Sequence, residues 1–72
     1  MRFRKLNEIQ NRIIRVGQVV RVKDGPSEKW RLGVFTGEIS IHDGQVTHLW
    51  VSTLDSSTTT GYNAEELEVG IG

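Results

Sequence analysis

Apolar and polar residues alternate with a period of two through the middle of the chain, and glycine-bearing turns cut that alternation into short runs. Val20 and Val22 alternate with Arg21 and Lys23, the pattern of a half-buried strand that exposes two cations. Asp24-Gly25-Pro26-Ser27 then reads as a turn, with Pro26 fixing its own φ and Gly25 tolerating whatever the corner requires. Beyond it Trp30, Leu32 and Val34 share one face, assigned inward, while Arg31, Gly33 and Phe35 share the other. Thr36-Gly37 interrupts the run, and Ile39 and Ile41 resume the inward face.

Asp43-Gly44 is the strongest hairpin signal in the chain, because both residue types accept the positive φ of a tight turn. The register after it has two solutions. A two-residue turn sets Val46, His48 and Trp50 on the face of Ile39 and Ile41, whereas a three-residue loop sets Leu49 and Val51 there. Two aliphatic residues make the better core, so Leu49 and Val51 are expected inside and Trp50 outside. Residues 54–61 are polar and β-branched, a mobile loop running into an edge strand. Residues 64–67 (A-E-E-L) read as a single helical turn, Glu68-Val69 as a last strand, and residues 70–72 as a fraying tail.

At the other end, Phe3, Leu6, Ile9 and Ile13 recur at spacings of three and four with cations between them, as in an amphipathic helix; a short strand at Arg2 to Lys5 is the alternative. Those apolar residues need a surface to cover, either the open end of the barrel, which is the expectation, or another subunit. The expectation is therefore an all-β molecule, a small five-stranded SH3-like barrel over residues 16–69, with an N-terminal helix or arm over 1–15 and a one-turn helix before the last strand.

Seventy-two residues, 36% of them hydrophobic, support one modest core and no second domain. There is no cysteine, so neither a disulfide nor a thiolate metal site can supplement that core. The basic start Met1 to Lys5 is not followed by a signal-like apolar stretch, and no run approaches the roughly 20 apolar residues of a membrane span. An intracellular setting without a membrane partner is expected. Net charge is zero but segregated: all nine Lys and Arg lie at or before Arg31, giving residues 1–36 a net +6 and residues 37–72 a net −6. Either one half meets a charged partner or the halves neutralise each other internally.

The run V-G-x-V-V-x-V-x-D (Val16 to Asp24), with W-R-L-G-V (Trp30 to Val34), D-G-Q-V (Asp43 to Val46) and V-S-T (Val51 to Thr53), resembles the SH3-like C-terminal domain of retroelement integrases of the BEL/Pao kind. Gly17, Val20, Val22, Gly25-Pro26 and Gly33 also resemble KOW-type barrels of ribosomal and transcription proteins, and the A-E-E-L-E ending looks like that of a small stromal barrel subunit of photosystem I. The integrase resemblance covers about half the chain and departs at the end, where that family is basic and this chain carries Glu65 and Glu66. It implies an SH3-like fold, and fold alone does not assign a function.

Nothing in the chain is patterned for catalysis. His42 and His48 have no metal-ligand spacing, no nucleophile motif is present, and Gly33 to Gly37 lacks the Lys-Ser/Thr of a phosphate loop. No cofactor is expected. Arg21, Lys23, Lys29 and Arg31, with Phe35, make the composition of a DNA- or RNA-binding face, cations for phosphates and an exposed aromatic for bases, Trp30 being assigned to the core. The competing reading is a protein-interaction or homo-oligomeric assembly barrel using Phe3, Leu6 and Trp50.

Overall fold

The computed structural model describes residues 1–8 and 14–71, with Asn7 through its backbone alone. Six antiparallel strands form one sheet: β1 (Arg2–Lys5), β2 (Val19–Val22), β3 (Arg31–His42), β4 (Gln45–Thr53), β5 (Thr59–Asn63) and β6 (Leu67–Ile71), in the order β1-β6-β2-β3-β4-β5. The only helical element among the described residues is a 3-10 turn at Leu6–Glu8, and none is long and apolar enough to cross a membrane. The all-β class holds, but the closed five-stranded barrel does not.

The topology explains why closure fails. β6 is paired on both sides, with β2 through Val20↔Val69 and Arg21↔Glu68, and with β1 through Phe3↔Gly70 and Lys5↔Glu68. The N-terminal segment expected to be helical thus begins as a sheet strand, and it occupies the rim that a closing strand would need. Gly70 and Ile71, expected to fray, are held by the same ladder opposite Phe3 and Arg2. The sheet nevertheless curls. Only three residues, 64–66, separate β5 from β6, a reach of about 14 Å, whereas four strand spacings across a flat sheet are about 19 Å.

The core lies inside that curl: Val20 and Val22 of β2, Phe35 of β3, Leu49 and Val51 of β4, Tyr62 of β5, Leu67 and Val69 of β6, and Leu6. Leu6, expected on an interaction surface, is 5% exposed. Ile14 and Ala64 pack against this cluster from its rim; the expected helical positions Ile9 and Ile13 lie outside the described residues.

The two faces of β3 are the reverse of those expected. Val20 and Val22 point inward, so the residues opposite them across the ladder, Gly33 and Arg31, point inward too, and Leu32, opposite Arg21, points out. Gly33 is what makes this possible. A Cβ there would sit 2.6 Å from Val51 Cγ1 and 2.9 Å from the Ser52 carbonyl oxygen, so β3 crosses β4 at a distance only glycine permits. Phe35 then packs opposite Val51 in the core, while Trp30 and Leu32 are exposed.

The hairpin combines both register solutions. Asp43 (φ 52°) and Gly44 (φ 76°) form a two-residue turn with both central residues at positive φ. Ile41 pairs with Val46 but Ser40 pairs with His48, so β4 carries a bulge at Thr47 that restores Leu49 and Val51 to the inside and leaves Trp50 outside. A second irregularity, between Phe35 and Ile39, carries the tip past the core, and Ile39 and Ile41, expected inward, are exposed. The helical turn expected at residues 64–67 is also absent. Asn63 Oδ1 accepts from the Glu65 and Glu66 amides, at 2.9 and 3.1 Å, and this side-chain turn displaces the helical one.

Candidate functional site

The predicted cations do not form one stripe. Arg21 and Lys23 lie on the outer face at Trp30. The Arg21 guanidinium sits between two rings, 4.7 Å from the Phe3 centroid and 4.6 Å from Trp30, and Lys23 Nζ lies 4.6 Å from Trp30. Register supplies the counter-charge: Glu68 stands between Lys5 and Arg21 across three neighbouring strands and accepts from Arg21 Nε at 2.7 Å. Arg21 is thus clamped by its own sheet, between Phe3 of β1 and Trp30.

Arg31 is held elsewhere, at the inner end of β3. Its guanidinium donates to Asp24 (2.8 and 3.0 Å), to Asp55 (3.1 and 3.3 Å) and to the Tyr62 hydroxyl (3.0 Å), and that hydroxyl donates to Asp24 Oδ1 at 3.0 Å. The cluster ties the β2–β3 and β4–β5 connections across the mouth of the core. Hydrogen bonds from Thr53 and then Arg31 hold the Asp55 carboxyl below the usual carboxylate range. Burial first, and then the Asp24 hydrogen bond, push the Tyr62 phenol up. Asp55 together with the other acids keeps the Arg31 guanidinium charged.

These contacts overturn the nucleic-acid face. Two of its four cations, Arg21 and Arg31, are occupied by carboxylates of the same chain, its aromatic Phe35 is 4% exposed, and Lys29 is an exposed loop residue. The charge segregation of the sequence is partly cancelled across strands: Glu68 meets Arg21 and Asp55 meets Arg31. The assembly barrel loses its footing as well, since there is no barrel, Leu6 is core, and Phe3 is covered by Arg21. No protein-family model, characterised protein or solved structure matches the chain, so the resemblance to integrase and KOW-type domains gains no support.

The openness of the sheet exposes a different feature, its two unlike rims. β1 carries Arg2, Arg4 and Lys5 in four residues, the charged composition that discourages a further strand from pairing. β5 is T-T-G-Y-N, with no charge and no proline, and Thr59 and Thr60 are exposed. Among the described residues no strand pairs with its outer side. The outer face beside it is organised by Trp50, which stands opposite Gly61 in the β4–β5 ladder. Its Nε1 is directed at Ser40 of β3 (3.4 Å), and its six-membered ring lies over Gly61, where a Cβ would come within 3.1 Å of Cε2 and 3.2 Å of Cζ2. Trp50 is therefore half-covered by its own sheet and reaches toward the β5 rim. Sequence reasoning placed it on the surface but missed its partner. The signal was Gly61, a residue without a side chain in a strand beside an outward tryptophan.

His42 Nε2 lies 3.3 Å from Asp43 Oδ2 at the hairpin tip, and His48 Nδ1 is 3.1 Å from Thr47 Oγ1. Among the described residues no metal-holding set of His, Asp and Glu converges, and every buried side-chain polar atom has a partner.

Proposed function

We propose that the chain is a non-catalytic module that captures an extended polypeptide segment as a seventh strand along β5. The observation that carries this reading is the contrast between the rims: one bristles with cations, the other is uncharged, β-branched and open. Main-chain hydrogen bonds along such a rim supply affinity without requiring a pocket, and side chains on alternate positions supply selectivity. This uses the edge of an open sheet, and it asks nothing of the basic residues.

The test is a titration of the 15N-labelled protein with a seven-residue peptide alternating threonine and valine, acetylated and amidated, at millimolar concentration. Strand addition shifts the amide resonances of Thr59 to Asn63, and the same peptide N-methylated at alternate backbone nitrogens fails to do so. Absence of shifts, shifts centred on another element, or indifference to N-methylation overturns the proposal.

A further inference from the structure

From the surroundings of β5, and resting on that reading, we infer the class of segment it selects: a strand of another protein with an apolar, preferably aromatic, side chain opposite Gly61 and a cation at its Asn63 end. The six-membered ring of Trp50 lies over Gly61, and glycine leaves no side chain between that ring and the next strand out. A strand added about 4.8 Å beyond β5 places the residue facing Gly61, when its side chain points to the outer face, beside the indole. That is the large, half-desolvated aromatic anchor typical of binding hot spots.

Charge selects one flank. Beyond Arg31 the chain has no Lys or Arg. Asp55, before β5, is already held by Arg31 at the mouth of the core, whereas Glu65 follows β5, exposed, with its backbone fixed by Asn63. A segment with a basic residue at its Asn63 end therefore meets the Glu65 carboxylate there, and one with an acidic residue at that end meets like charge. Ser52, Thr59 and Asn63, on the same face as Trp50 and Gly61 by register, are uncharged and leave the aromatic position as the discriminating one.

Four peptides of the form acetyl-Xaa-Thr-Yaa-Thr-Xaa-amide separate this inference from the underlying one, with Xaa lysine or glutamate and Yaa phenylalanine or alanine. The lysine-phenylalanine peptide is expected to bind best. Replacing phenylalanine by alanine weakens binding roughly tenfold, and replacing the lysines by glutamates weakens it several-fold at low salt, with the difference shrinking in 1 M salt. The Trp50 indole N–H resonance moves with the phenylalanine peptides and stays still with the alanine ones. Trp50→Leu, which keeps an apolar cover on Gly61, removes the phenylalanine preference while β5 amides still respond. Equal binding of all four peptides with β5 shifts overturns this inference and leaves strand addition standing. Loss of β5 shifts with every peptide, the threonine-valine one included, overturns both. A second copy of the chain as occupant, through its Arg2-Phe3-Arg4-Lys5 strand, also contradicts it, and shows as concentration-dependent β5 shifts without peptide.

Discussion

Replacing Phe35 and Trp30 in turn by alanine decides which face of β3 is buried. Phe35 is 4% exposed and packs opposite Val51, so Phe35→Ala removes a ring from the centre of the core, a loss of about 3–5 kcal/mol. A domain of this size has about 3–5 kcal/mol of stability in all, so the variant is expected to be largely unfolded at 25 °C. Trp30 is 36% exposed, and its described partners are the two cations above it. Losing two such contacts at an exposed site costs about 1–2 kcal/mol together, a fall in Tm of roughly 4–16 °C at about 4–8 °C per kcal/mol. Urea denaturation followed by far-ultraviolet circular dichroism gives both values without relying on either tryptophan. Phe35→Leu, expected to cost about 1–1.5 kcal/mol, keeps the comparison measurable. A folded Phe35→Ala beside an unfolded Trp30→Ala would refute the observed facing of β3 and restore the facing that alternation alone suggests.

Gly33→Ala is expected to destabilise by about 2–3 kcal/mol, because two of the three atoms its Cβ would meet are backbone and cannot rotate away; Gly25→Ala, whose Cβ meets only Glu28 Cγ at 3.7 Å, should be nearly neutral in the same melts. Glu68→Gln should cost about 1–3 kcal/mol, since it leaves the Arg21 guanidinium half-buried without its carboxylate, and a double-mutant cycle with Arg21→Met should recover most of that loss. The Asp55 carboxyl is held below its unfolded value, so its contribution is present above about pH 4 and is lost as pH falls through the lower folded value; the Tm gap between the natural chain and Asp55→Asn should narrow on going from pH 6 to pH 2. Tyr62 has the opposite sign: its folded value is raised, so stability is present below about pH 10 and falls as pH rises beyond it, and Tyr62→Phe should lack that alkaline decline.

Strand positions are readable in this sequence because turns are marked by residues with one mechanical purpose. Asp43-Gly44 demands a tight hairpin, and the polar run before Thr59 leads into an edge strand. Which side each strand presents is not readable in the same way. The facing of β3 is fixed by its register against β2, and the connection between them, residues 23–30, has no length-determined turn type that would set it. One residue of parity there turns Phe35 from a surface aromatic into core and Trp30 from core into a lid over Arg21. Two bulges then carry Ile39 and Ile41 out of the core, and the hydrophobicity of those residues gives no sign of it.

The site follows the same division. Arg21, Lys23, Arg31 and Trp50 are conspicuous in the sequence, but their roles depend on partners 7 to 47 residues away in the hydrogen-bond network for the arginines, and on Gly61 for Trp50. The openness of the sheet depends on whether Arg2–Lys5 is strand or helix. A strand there takes the second side of β6 and leaves β5 as a rim. The spacing of Phe3 and Leu6 fits a helix equally well, and pairing with β6 decides for the strand.

The map of cross-strand nuclear Overhauser contacts between backbone protons, read with amide exchange along β5, tests the open sheet most directly. Contacts linking Phe3 with Gly70, Val20 with Val69 and Trp50 with Gly61, none between β5 and β1 or β6, and rapid exchange of the outward-pointing β5 amides are the predicted result. Contacts joining β5 to β1 or to β6, with uniform protection of Thr59 to Asn63, would show a closed barrel and contradict the account.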